Sequence, residues 1–153
     1  EDISSINELQ FLDKIINLNR DIIPIFDLLD KTNDISSKIY RLYNAAFGRF
    51  PDQSGFKYGI DQNLELKDTY NSTAQSFIAS KEFEALYGQE INDKQFITSL
   101  YTNILNRSPD DNGFDYWMNQ IDQGKEDRVN ILMGFSESQE NKLIFSNETS
   151  IYI

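Results

Sequence analysis

The feature that most constrains this chain is an internal repeat with an offset of 58 residues, the distance from Leu42 to Leu100. The register holds without a gap far downstream of that pair. Matches of proline, glycine and aromatic residues at one fixed offset indicate a duplicated structural unit. The matched pairs are Leu42-Tyr43 with Leu100-Tyr101, Arg49 with Arg107, Pro51 with Pro109, Asp52 with Asp110, Gly55-Phe56 with Gly113-Phe114, Tyr58 with Tyr116, Gln62 with Gln120, Phe77 with Phe135, Ser80 with Ser138, and Glu82 with Glu140.

The pattern within each copy predicts helices. The chain has a single valine, and its apolar residues recur at spacings of three and four, which favours helices over strands. Ser72 with Gln75 and Asn92 with Gln95 have the spacing of capping boxes, and Pro109 is expected at the first position of a helix. The predicted helices are 36–48, 51–62, 69–79 and 81–87 in copy one, and 93–106, 109–122, 126–137 and 139–145 in copy two.

These helices predict one compact all-α domain, since 153 residues suit a single domain. We expect two tandem four-helix repeats, residues 36–91 and 92–145, followed by a tail over 146–153. Residues 1–35 are predicted to form N-terminal helices that pack on repeat one. The second of these helices is expected to be broken by Pro24.

One difference between the copies predicts a contact. Trp117 of copy two is replaced by Gly59 in copy one, which leaves room beside the helix. Apolar residues of the N-terminal helices are expected to cover copy one near Gly59; they are Ile15, Ile16, Ile22, Ile23 and Phe26.

Composition excludes several classes of function. The chain has no cysteine and no histidine, so disulfides, thiolate metal sites and imidazole chemistry are impossible. The net charge of −11 argues against nucleic acid and against an anionic membrane, because both require clustered cations. No apolar run is long enough to insert into a membrane. Proteins and polysaccharides remain as partners, and no cofactor is predicted.

Several sequence strings resemble a bacterial domain family of unknown function. They are LYNAAFGRFPDQSGFKYGIDQ, LYTNILNRSPDDNGFDYWMNQIDQG, FIASKEF and GFSESQEN, within residues 36–145. The family occurs in secreted and surface-layer type proteins and is remotely similar to phycobilisome linker domains. The resemblance implies a non-catalytic accessory domain at or outside the bacterial cell surface. Copy two departs from the family at Asn106, where glycine is usual.

Arginine and aromatic residues are the candidate binding groups. Arg49 and Arg107 are each expected to cap a helix end and to pair with Asp52 or Asp110, while an anion or glycan contact is the alternative. Alternate aromatics on one helix cannot all face the core. Tyr58, Tyr116 and Trp117 are therefore candidates for stacking on a sugar.

An acidic turn in copy two gives the candidate metal ligands, Asp110, Asp111 and Asp115. The turn lacks the ligand spacing of an EF-hand, and the start of a helix explains the same residues. Calcium binding is therefore the alternative interpretation, and a role of these residues at the start of a helix is favoured. The other residues expected to serve structure are Pro51, Asp52, Gly55, Pro109 and Gly113.

Together these features predict a non-catalytic binding or assembly module of a larger secreted or cell-surface bacterial protein. Its expected partners are a protein or a polysaccharide, besides the neighbouring domains of a longer parent chain. Two alternatives stay open. One is an intracellular scaffold similar to phycobilisome linkers; the other is a carbohydrate-active enzyme, which would need two carboxylates in opposed environments.

Overall fold

Helices make up most of the computed structural model, which describes residues 8–10, 15–29 and 34–149. The predicted all-α fold class is confirmed. The helices of the described part are α1 (Ile23–Asp27), α2 (Asp34–Phe47), α3 (Gln53–Leu64), α4 (Tyr70–Ile78), α5 (Lys81–Tyr87), α6 (Asp93–Leu105), α7 (Asp111–Asp122), α8 (Arg128–Ser136) and α9 (Gln139–Thr149).

Helix bounds follow the 58-residue offset. The ranges of α3 and α7 differ by this offset at both ends, as do those of α4 and α8. α5 and α9 begin at the offset, and α2 and α6 end at it. The residue after α2, Gly48, and the residue after α6, Asn106, both have positive φ angles, of 61° and 52°. Asparagine tolerates this left-handed conformation, so a helix ends in the same way at both places.

Aspartates set the starts of α3 and α7. Asp52 and Asp110 are the N-caps, and their side chains accept hydrogen bonds from the backbone N–H groups of Gly55 and Gly113. Pro109 was expected at the first helical position, but it lies one residue before the cap. Both helices therefore begin two residues later than predicted, because the aspartate is the residue that satisfies the free N–H groups.

The two predicted capping boxes have different outcomes. The box at Asn92 and Gln95 is confirmed, since each side chain bonds the backbone N–H of the other. The box predicted at Ser72 and Gln75 is wrong. Thr69 caps α4, and Ser72, the third residue of that helix, completes a capping box with it.

The core is centred on α2 and α6. α2 packs against α3, α4, α5, α6 and α8, and α6 packs against α7, α8 and α9. One cluster of buried side chains contains residues of both copies, and its fully buried members include Ile39, Leu42, Ile97 and Leu100. A side chain of this size contributes about 1.5–3 kcal/mol when buried. The stability of either copy therefore depends on the other.

The N-terminal segment differs from the predicted helices. Residues Glu8–Gln10 (β1) and Ile15–Asn17 (β2) form a short antiparallel pair with Leu9 opposite Ile16, followed by a π-helical turn over Leu18–Ile22. β-branched isoleucines have low helix propensity and favour strands. Pro24 does not break a helix, because it lies in the first turn of α1 where its missing N–H costs little.

The residue directly beside Gly59 belongs to α2. A methyl group added at Gly59 would lie 3.2 Å from Cγ2 of Ile39, so α2 itself lies against this position. α1 does pack near α3. Its Phe26 ring lies 6.2 Å from the ring of Tyr40 and 6.0 Å from that of Phe50, both in copy one. Cover of Gly59 itself by the N-terminal side chains stays a prediction. The side chains of Ile15 and Ile16 lie outside the described residues.

The last helix is longer than predicted. α9 continues to Thr149, beyond the predicted end at 145, so residues 146–149 belong to this helix and not to the predicted tail over 146–153. Residues 150–153 lie outside the described residues.

Leu66 occupies a backbone conformation that suits glycine, which gives a testable prediction. Its φ angle is 56° and the residue is 88% exposed, while the matching residue of copy two is Gly124 with a φ of 62°. A side chain in this conformation costs about 1–2 kcal/mol, and so little of Leu66 is buried that few contacts offset this. Leu66→Gly is expected to raise the free energy of unfolding by about 1 kcal/mol in urea titrations. Leu66→Ala is the control, because it keeps the Cβ atom. Equal stabilisation by both variants would contradict the assignment of strain to the backbone.

Candidate functional site

A small cleft opens on the second copy, between α6, α7, α8 and α9. Its volume is about 160 Å³. We call it the repeat-two cleft, and its lining residues are Tyr101, Leu105, Arg107, Trp117, Gly134, Phe135, Ser138 and Glu140. Two of the candidate binding residues, Arg107 and Trp117, thus meet at one place.

Arg107 and Glu140 form the polar rim of the cleft. Arg107 donates from Nε to one oxygen of Glu140 at 2.8 Å and from Nη2 to the other at 3.0 Å. Nη1 donates to the carbonyl oxygen of Ser108 at 3.2 Å and to Asp110 at 3.3 Å. The guanidinium lies over the ring of Tyr101, 4.9 Å from its centroid. The arginine is therefore held in one plane by charged, polar and aromatic partners.

The rim carboxylates favour the charged state. The hydrogen bond from Arg107 lowers the pKa of Glu140, and that from Gly113 N–H lowers the pKa of Asp110. Glu140 in turn raises the pKa of Arg107. One cation thus stands between two anions at neutral pH, and the rim has no excess positive charge.

Aromatic rings form the wall of the cleft. The Trp117 ring lies 5.4 Å from that of Phe135, and Tyr101 meets Phe135 edge-on at 4.9 Å. Gly134 makes room for the indole, since a methyl group there would lie 3.1 Å from Cη2 of Trp117. The wall requires this glycine although glycine weakens a helix.

Copy one has the same ion pair without the same wall. Arg49 donates to both oxygens of Glu82 at 2.6 and 2.9 Å, and its guanidinium lies over the Tyr43 ring at 5.7 Å from the centroid. Gly59 stands where copy two has Trp117, and the position matching Gly134 is Ser76. The large residue and its small neighbour are both missing, so this arrangement cannot build an indole wall.

Two exposed tyrosines lie at matching positions of α3 and α7. Tyr58 is 65% exposed and Tyr116 is 55% exposed. Four residues further along each helix, hence on the same face, stand Gln62 and Gln120. Tyr116 also meets the ring of Trp117 edge-on at 5.1 Å, so it borders the cleft.

The three aspartates of the acidic turn do not form a common site. Asp110 caps α7, while Asp111 and Asp115 are exposed on that helix. Within residues 8–10, 15–29 and 34–149, no group of three or more acidic side chains could hold a metal ion. A calcium ion at this turn would have to compete with Gly113 and Arg107 for the carboxylate of Asp110.

The predicted ion pair between Arg49 and Asp52 is wrong. Arg49 donates instead to Glu82 and to the carbonyl oxygen of Phe50. Arg107 does pair with Asp110, although Glu140 is its bidentate partner. Sequence reasoning missed the role of both glutamates, and the signal was present because Glu82 and Glu140 match at the 58-residue offset.

The prolines and glycines of the two turns serve packing. Pro51 is buried and Pro109 is half-buried, each directly before an aspartate cap. A methyl group at Gly55 would lie 2.6 Å from the hydroxyl oxygen of Tyr43, and one at Gly113 would collide with the hydroxyl of Tyr101. These glycines let each turn approach a tyrosine of the preceding helix.

Fold and cleft together define a class: a small all-α domain whose helices surround a shared core and present a polar-aromatic cleft. Residues 74–145 match a family described as Domain of unknown function (DUF4214). The matched segment contains every residue that lines the repeat-two cleft. No curated protein and no solved structure matched the chain. Among the described helices, none has the length and apolar character needed to cross a membrane.

Proposed function

We propose that this chain is a non-catalytic binding module, built from two copies of one helical repeat, within a larger secreted or cell-surface bacterial protein. Its ligand is a polysaccharide, bound along the exposed faces of α3 and α7. The observation that carries the proposal is the recurrence of an exposed tyrosine, Tyr58 and Tyr116, at matching positions of two helices.

The chemistry of these faces suits sugars. A tyrosine ring gives a flat apolar surface for the C–H face of a sugar ring, and its hydroxyl group can donate or accept a hydrogen bond. Gln62 and Gln120 add amide donors and acceptors one turn away. Two similar faces on one domain raise the avidity for a repeating polymer without any new contact.

The charge of the chain favours an uncharged polymer. A net charge of −11 repels acidic polysaccharides as it repels nucleic acid. A basic protein surface would be attracted, so binding to a protein partner is the outcome to expect if no polysaccharide binds.

The state of the carboxylates supports a non-catalytic role. A general acid in glycoside hydrolysis needs a raised pKa. Interactions with Gly113 N–H and Arg107 instead lower the pKa values of Asp110 and Glu140 at the cleft. No histidine exists to replace them as a proton donor.

The proposal is tested by native gel electrophoresis in gels that contain soluble neutral polysaccharides such as glucans, mannans and galactans. We expect one class of polymer to retard the chain. Tyr58→Ala or Tyr116→Ala should each weaken retardation about tenfold, as loss of one aromatic contact and of avidity predicts, and the double variant should run freely. Leu143→Ala is the control, because Leu143 is also exposed but lies on α9. The proposal would be contradicted if no polymer retarded the chain, or if the double variant were retarded as strongly as the parent chain.

A further inference from the structure

We infer that the repeat-two cleft is a subsite for one neutral pyranose ring, and that copy one has no equivalent subsite. The inference rests on the proposed function, which it makes more specific. It assigns a particular sugar-sized site to one copy, whereas the exposed tyrosines belong to both copies.

The size of the cleft limits its ligand. Pockets for drug-sized ligands enclose about 300–1,000 Å³. The repeat-two cleft has a volume of about 160 Å³, which suits a single sugar ring. Leu105, Trp117 and Phe135 give it an apolar surface, against which the C–H groups of a sugar ring can pack.

The polar rim matches adjacent sugar hydroxyl groups. Each oxygen of Glu140 accepts one hydrogen bond from Arg107 and has the capacity to accept another. A hydroxyl group can donate to Glu140 while its neighbour accepts from the Nη2 group of Arg107. Donor and acceptor thus lie side by side in the plane of the ion pair, as two hydroxyl groups on neighbouring carbons require.

Charge selects a neutral sugar over an acidic one. Arg107 is paired with Glu140 at 2.8 Å and with Asp110 at 3.3 Å, so its charge is already compensated. A uronic acid or a phosphate would meet two carboxylates without a free cation. The same ligand carboxylate would also be repelled by the net charge of the chain.

Copy one lacks the wall but keeps the rim, which provides a matched control. Arg49 and Glu82 form the same bidentate pair over a tyrosine ring. The indole is absent at Gly59, where Ile39 of the core lies 3.2 Å from an added methyl group. A variant of Glu82 therefore perturbs an equivalent ion pair without touching the proposed subsite.

The experiment uses intrinsic fluorescence, because Trp117 is the sole tryptophan of the chain. The whole chain is titrated with the methyl glycosides of glucose, galactose, mannose and N-acetylglucosamine, and with methyl glucuronide as the charged probe. We expect a saturable change in Trp117 emission with at least one neutral glycoside. Binding of the glucuronide should be at least about tenfold weaker, because its carboxylate meets two others at the rim.

Two variants make the assignment specific. Glu140→Gln is expected to weaken the glycoside at least about tenfold, because a hydrogen bond to a charged group is lost. Glu82→Gln should leave the affinity unchanged. Circular dichroism and the Tm establish that both variants are folded. Equal effects of the two variants on affinity would overturn the subsite.

The results separate this inference from the proposed function. Retardation by a polysaccharide without any Trp117 response to the glycosides would overturn the subsite and leave the proposed function standing. A saturable Trp117 response that only Glu140→Gln weakens would support the subsite, even if Tyr58 and Tyr116 proved dispensable for retardation and the tyrosine-face proposal failed.

Discussion

Replacing Glu137 by alanine is expected to lower the free energy of unfolding by about 3 kcal/mol, because it leaves a buried arginine without its main partner. The Arg41 side chain is 5% exposed. It donates to both oxygens of Glu137 at 2.8 Å, and its next carboxylate, Asp34, is 3.6 Å away. The loss is measured by urea unfolding followed by circular dichroism.

Glu82→Ala is the matched control. It removes the same bidentate geometry from Arg49, but both side chains of that pair are partly exposed, and water can replace the carboxylate. Exposed pairs contribute about 0.2–1 kcal/mol. A second variant, Arg41→Met with Glu137→Leu, should recover most of the stability, since apolar side chains often replace a buried pair without loss. Equal costs for Glu137→Ala and Glu82→Ala would contradict the importance of burial.

The position of this pair explains why the repeat could not reveal it. Arg41 lies in α2 and Glu137 follows α8, while the matching positions in the other copies are Ser99 and Ala79. The pair therefore joins the two copies at a place where they differ. A comparison of the copies identifies what they share, whereas the contacts between them depend on how the two units pack.

Local patterns in the sequence were sufficient to predict the helices. Apolar spacing located the eight helices from α2 to α9 within a few residues, and Asn92 with Gln95 identified one helix start. These features depend on neighbours three or four residues apart. The N-terminal strands could not be predicted from local patterns, because a short isoleucine-rich run fits a helix or a strand and its pairing partner decides between them.

The candidate site was predictable by residue type and not by contact. Arg107 and Trp117 were identified because they stand in the repeated turn and helix. Their partners come from further along the chain, since Glu140 is 33 residues from Arg107 and Gly134 belongs to another helix. Proximity in sequence favoured Asp52 as the partner of Arg49, but the fold brings Glu82 to the guanidinium with better geometry for a bidentate bond.

Gly113→Ala is expected to lower the free energy of unfolding by about 2 kcal/mol, although alanine is the better helix former. The added methyl group would collide with the hydroxyl group of Tyr101, which must move together with the aromatic wall of the cleft. Tyr101→Phe removes that hydroxyl group and leaves the ring. When Tyr101→Phe is already present, the alanine should therefore be nearly neutral, and the cycle should show a coupling of about 1–2 kcal/mol.

The same cycle in copy one tests whether both turns are built alike. A methyl group at Gly55 would lie 2.6 Å from the hydroxyl oxygen of Tyr43, so Gly55→Ala with Tyr43→Phe should behave in the same way. Urea unfolding gives the four free energies of each cycle. If Gly113→Ala costs as much in the Tyr101→Phe variant as in the parent chain, the glycine is required for another reason, such as the contact with Asp110 at 3.1 Å. Coupling in both cycles would mean that each turn is fixed by a tyrosine hydroxyl group that only glycine can accommodate.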